Sequence, residues 1–148
     1  MVREMCFRGK RIPNGEWVNG FYAKSVDYFA EKERNFIQTQ GLNVNGGESM
    51  MGDTSLSWFE VEPGTVGEFS GKRDKNGRRI FEGDIVDGLF RFGMPLRAVC
   101  AFNDGAFGLA WTHEGVDHFS AFTSICNVEY EVVGNIYDNP EMLEQEVQ

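Results

Sequence analysis

Turn signals recur along this sequence too closely for long helices to form between them. Pro13-Asn14-Gly15, Asn76-Gly77 and Asn103-Asp104-Gly105 each set residues that tolerate positive φ between runs rich in Val, Ile, Phe, Tyr and Trp. That is the pattern of strands joined by hairpins. "LSWFEVEP" at 56–63 reads as a strand stopped by Pro63, and "TVGEF" follows as another. "RIFEGDIVDGLFRFG" runs on to Pro95, "LRAVCAFN" and "AFGLAWT" flank Asn103-Asp104-Gly105, and "VDHFSAF" and "YEVVGNIY" complete the set. With no sustained 3.6-residue apolar period, the spacing predicts an all-β chain, a barrel or a sandwich.

Three segments call for separate readings. "SVDYFAEKERNFIQTQ" fits a short helix with charges outward or a hairpin turning at "EKER", and periodicity does not decide between them. "GLNVNGGESMMGDTS" at 41–55 has four Gly and few bulky residues and is expected to be a mobile loop. Asn139-Pro140-Glu141 combines an N-cap residue, Pro at the first helical position and an acid in the first turn. It predicts a short C-terminal helix from Pro140. At 148 residues the chain is expected to be a single domain, with an N-terminal β subdomain at 1–62 and the remainder at 63–148.

Cys6, Cys100 and Cys126 are odd in number, widely spaced and without a CxxC pair, which argues against a disulfide framework or a structural zinc site. "MVREMCFRGKR" has no apolar stretch of the kind a secretory signal needs. A cytoplasmic protein is the reading. The net charge of −9 lies entirely in the last third, because residues 98–148 carry nine acids and no Lys or Arg. Such a field repels phosphate backbones and suits a cationic partner or simple solubility.

The exception is "GKRDKNGRRIFEGDIV" at 71–86, where Lys72, Arg73, Lys75, Arg78 and Arg79 crowd around a turn beside Phe69 and Phe81. Basic side chains interleaved with aromatics can hold phosphates and stack bases, so the turn is a candidate nucleic-acid loop. Asp74, Glu82 and Asp84 partly offset it. As a turn it has its own logic: Gly77 accepts positive φ, Glu82-Gly83-Asp84 makes a second bend, and Asp84 can accept from nearby backbone amides.

The longer block "GTVGEFSGKRDKNGRRIFEGDIV" resembles the phage and prophage family called YopX, in which a block of the form "QYTGLKDKNGKEIYEGDIV" occurs. The ending "VVGNIYDNPEML" at 132–143 is similar to that family's "GNIYENPELL"-like segment, and "FRGKRIPNGEWVNGFY" looks like one branch of it. The resemblance implies a phage or prophage origin in a bacterial host. It also implies a β-rich fold with a small antiparallel SH3-like barrel, placed here mostly over 84–137. It implies no catalytic residues, because the family's biochemical function is not established.

Catalytic motifs are missing: there is no GxSxG, no HExxH and no phosphate-binding GxxxxGK[ST]. Cys100 and Cys126 lie in apolar runs, where a thiol's pKa rises and its reactivity falls. His113 and His118 flank a turn and would need a third ligand such as Asp104 to bind a metal. The expectation is a non-enzymatic protein that uses no cofactor or metal and touches no membrane, with homo-oligomers left open. A protein partner would engage the acidic third, with Glu129, Glu131 and Glu141 as the candidate face. The alternative is a nucleic-acid-binding module using the 72–79 loop.

Overall fold

A computed structural model describes residues 3–39, 57–89, 93–125 and 129–144. It is all β, built as two antiparallel sheets, and among the described residues the only helical pieces are short 3-10 turns. No helix among them is long and apolar enough to cross a membrane. The stretch expected to be a mobile loop at 41–55, and Cys126, lie outside the described residues. The chain divides into two compact units, Met1–Glu68 and Phe69–Gln148.

In the first unit β1 (Phe7–Lys10) pairs with β2 (Trp17–Asp27), which pairs with β3 (Lys32–Thr39), which pairs with β4 (Ser57–Glu60). The Pro13-Asn14-Gly15 hairpin forms as expected. Gly15 has a φ of 68° and its N–H donates to the Arg11 carbonyl at 2.8 Å. The undecided segment is a hairpin: Asp27 Oδ1 accepts from the amides of Phe29 and Ala30 at 3.0 and 3.1 Å, and that turn reverses the chain into β3. One face of this sheet buries Val18, Ile37 and Val61, with Phe7, Tyr22, Phe59 and Val66 packed around them.

β5 (Gly67–Arg73) opens against β1 and continues past Glu68 into the second unit, where it pairs with β6 (Arg79–Phe81). The rest of that unit is one five-stranded sheet. A meander of β7 (Asp84–Leu89), β8 (Pro95–Asn103), β9 (Ala106–His113) and β10 (Val116–Ala121) is followed by a 3-10 turn at Phe122–Ser124. β11 (Tyr130–Asn135) then returns to the free side of β7. Asp104 and Gly105 sit at φ 49° and 79°, and Glu114 and Gly115 at 50° and 77°, as two-residue hairpins between right-twisted strands require. Ile80, Val86, Ala98, Cys100, Leu109, Phe122 and Val132 are buried together in the core.

Two expectations are corrected here. The sheet is not a closed barrel, because its order β10-β9-β8-β7-β11 leaves β10 and β11 as edges that do not pair with each other. Nor does an α-helix start at Pro140: Pro140–Leu143 is a single 3-10 turn. The cause is local. Asn139 Oδ1 makes no cap bond and instead accepts from the Asn135 amide at 3.3 Å, so the next turn has no cap to propagate from.

That turn is held to the sheet by a residue with no motif around it. Arg97 on β8 grips Asp87 on β7 with two parallel bonds, Nε to Oδ1 at 2.7 Å and Nη2 to Oδ2 at 2.8 Å, and donates Nη1 to the Met142 carbonyl at 3.0 Å. The fork geometry fits a planar guanidinium and not an ammonium. Arg97→Met is expected to destabilise the second unit by about 1–2 kcal/mol and to speed amide exchange across 139–144. Unchanged exchange there would show that the carbonyl contact restrains nothing.

Candidate functional site

The basic turn is built around the acid inside it. Asp74 is only 7% exposed. Its Oδ1 accepts from the amides of Asn76 and Arg78, both at 2.9 Å, and its Oδ2 from the amide of Val132 at 3.1 Å. Asp74 and Gly77 close the turn by backbone bonds, with Gly77 at φ 79°. Burial pushes the Asp74 carboxyl up, but the amides of Val132, Arg78 and Asn76 and the charge of Arg78 outweigh it. The group ends below the ordinary carboxylate value.

This arrangement ties the turn to β11. The Lys75 amide donates to the Tyr130 carbonyl at 3.0 Å, and the Val132 amide is taken by Asp74. Side chains follow: Lys75 Nζ lies 3.3 Å from Glu131 Oε2, and Asn76 Nδ2 donates to Glu131 Oε1 at 3.3 Å. The turn therefore covers the outer edge of β11 where it would otherwise offer an open N–H and C=O. The ion pair adds little, since both groups are nearly half exposed. The buried carboxylate and the main-chain bonds hold the turn in place.

The five cations separate into two sets. Arg73 donates to the Gly77 carbonyl at 3.0 Å, and Arg73 and Arg79 each lie 5.8 Å from the centre of the buried Phe69 ring. Together with Lys75 they are engaged within the unit. Lys72 and Arg78 form the other set, although Arg73 and Lys75 are exposed as well and only Arg79 is half-buried. Among the candidate acids, Glu131 sits on β11 against the turn, Glu129 is exposed just ahead of the strand, and Glu141 is exposed on the 3-10 turn. Among the described residues no bond or ion pair links the three. The basic loop and the acidic strand, read from the sequence as rival faces, meet at Lys75 and Glu131.

The second sequence block closes on the first. Gly83, at φ 86°, receives the Ile136 amide on its carbonyl and donates its own N–H to the Cys100 carbonyl, both at 2.9 Å. Asp84, 1% exposed, accepts the Phe81 amide on Oδ2 at 2.9 Å. A Cβ on Gly83 would lie 3.0 Å from Tyr137, and one on Gly134 only 2.6 Å from Asn139 Oδ1. Asn135 Oδ1 fixes the bend between them by accepting from the amides of Tyr137 and Asp138 at 3.0 and 2.9 Å. The two blocks carrying the family resemblance thus touch one another along β7 and β11.

The YopX protein family matches residues 7–144, nearly the whole length. The chain belongs to that family. The two blocks that carry the resemblance form a structural clasp between β7, β11 and the turns beside them. The fold also resembles the crystal structure of protein EF1440 from Enterococcus faecalis, at 21% identity and a TM-score of 0.51, over 96% of this chain and 99% of that one. No curated protein matches.

His118 stacks on Trp111 with ring centres 5.4 Å apart and planes 15° apart, and His113 lies 4.0 Å from Glu114. Among the described residues no group of three or more His, Cys, Asp or Glu could hold an ion. Cys100 is a buried thiol, 1% exposed. Sequence reasoning missed Arg97 and the reach of Asp74 to Val132. Only the pairing of a buried-type acid with a strand amide 58 residues away could have revealed the latter.

Proposed function

We infer that this chain is a non-enzymatic accessory protein of a phage or prophage. In this reading it works in the cytoplasm of a bacterial host, where it binds another protein through the acidic last third of its sequence. The observation that carries the reading is the partition of charge. Arg73, Lys75 and Arg79 are engaged beside Phe69 and Glu131, while Glu129 and Glu141 stay exposed in a region with no Lys or Arg after Arg97. A surface of that sign recruits a basic partner and repels phosphate. We also read the second unit as an SH3-like barrel left open: a four-strand meander, a 3-10 turn, and a last strand returning to the first. This is an analogy of fold only, and it assigns no activity.

The alternative, a nucleic-acid module using the 72–79 loop, rests on the exposure of Lys72, Arg73, Lys75 and Arg78, with Arg79 half-buried beside them. Four exposed cations on one turn, with Arg73 and Lys75 already turned to Gly77 and Glu131, bury too little surface for a specific complex. DNA binding is therefore expected to be weak at physiological salt. Submicromolar binding, lost in Lys72→Gln/Arg78→Gln, would favour the alternative. For the protein-binding reading, nuclease-treated host lysate is passed over wild type and over Glu129→Lys/Glu141→Lys. A basic protein retained by wild type and by the Lys72/Arg78 variant, but lost from the charge reversal, is the expected result. Equal retention by all three would overturn it. Glu131→Lys is a less clean probe, because it also breaks the contacts to Lys75 and Asn76.

A further inference from the structure

The two edges of the five-stranded sheet are finished differently. The outer edge of β11 is covered by the 74–78 turn, whereas among the described residues β10 pairs only with β9. The Glu114-Gly115 turn sets His113 opposite Val116, so Val116, His118 and Ser120 direct their N–H and C=O at β9. Asp117, Phe119 and Ala121 then direct theirs outward, and no backbone group among the described residues pairs with them.

Beside this edge the apolar face of the sheet runs on into solvent. By register, Val116 and His118 share a face with Trp111, and that is the face of the core residues Cys100 and Leu109. Val116 is 56% exposed, His118 lies stacked on Trp111, and further along the same face Phe102 is 54% exposed against Phe107. Asp117 projects from the opposite face, exposed, with Thr112 Oγ1 donating to its Oδ1 at 2.7 Å. Asp104 and Glu114 at the hairpin tips are also exposed.

We propose that β10 takes up an extended cationic peptide as an added antiparallel strand, as happens at other open sheet edges. Main-chain bonds to Asp117, Phe119 and Ala121 supply the pairing. Alternate side chains then face opposite environments. Apolar ones lie along Val116, His118 and Trp111, and Lys or Arg side chains fall on the side of Asp117. A second copy of this chain is the poorer occupant, because each copy carries −9 and would set its own Glu114 and Asp117 beside the other's. The inference rests on the protein-binding reading but places the contact on a different strand from Glu129 and Glu141.

The test uses the full chain and a capped peptide alternating Val and Lys, about eight residues long. A block-ordered peptide of the same composition is the control, at physiological salt. Expected are saturable binding of the alternating peptide only, slowed amide exchange at Asp117, Phe119 and Ala121, and loss of binding in Phe119→Pro. Asp117→Lys, which leaves the backbone intact, is expected to weaken binding about fivefold. Equal binding of both peptides, protection confined to other strands, or concentration-dependent protection of β10 without peptide would each overturn the proposal. Glu129→Lys/Glu141→Lys separates the readings. Peptide binding that survives it while lysate capture is lost keeps the β10 site apart from the acidic face. If lysate capture fails in wild type, the peptide titration still decides the β10 site alone.

Discussion

Asp74→Ala is expected to cost the second unit about 3–5 kcal/mol, because a charged acceptor of three backbone amides is removed and the Val132 amide is left buried without it. Against a typical total of about 5–15 kcal/mol, that is a large share. Trp111 packs against that unit's core, so its fluorescence during urea unfolding reports the change. Asp74→Asn keeps one acceptor oxygen and is expected to fall between. The effect also depends on pH. The folded-state pKa of Asp74 is depressed, so its contribution is complete above the unfolded value, about 3.9, and is lost as pH falls through the lower folded value. The gap between wild type and Asp74→Asn should therefore narrow as pH is lowered through that window. A gap that stays constant, or an Asp74→Ala midpoint equal to wild type, would refute the role given to the carboxylate.

Gly83→Val is the second large effect. The residue holds φ 86°, and a Cβ there meets Tyr137 Cε2 at 3.0 Å. A β-branched side chain in that region carries about 1–3 kcal/mol of backbone strain. Tyr137 must also move, which disturbs the bonds of Gly83 with Cys100 and Ile136. The loss should exceed that of any single neutral substitution at Lys72, Lys75 or Arg78, whose side chains are exposed and whose changes are expected within about 0.5 kcal/mol. Equal melting temperatures for wild type and Gly83→Val would remove the case for this bend.

What could be read from the sequence was local. Asn14-Gly15 and Asp104-Gly105 identified themselves because positive φ is a property of single residues, and both turns form. The segment from Ser25 onward did not, since Lys24, Ser25 and Val26 are all exposed along β2 and leave no inside–outside alternation to find. The start signal at Asn139-Pro140 was sound as chemistry, but a competing amide at Asn135 captured the cap. Barrel closure depended on whether β10 and β11 would meet, a non-local matter on which turn spacing is silent. The basic turn was legible as charge alone. That three of its cations would be engaged by Phe69, Gly77 and Glu131 required knowing which strand lay beside it.

The return of β11 to β7 has a consequence during synthesis. β7 is complete at Leu89, yet its second neighbour starts only at Tyr130. At synthesis rates of about 5–20 residues per second, roughly 2–8 s separate the end of β7 from the start of β11, and the 74–78 turn waits as long for the Val132 amide. A nascent chain stalled in that interval presents an apolar strand bearing Ile85 and Val86 to whatever is near. Chaperones that shield such strands should therefore matter more to the yield of this protein than to its final stability.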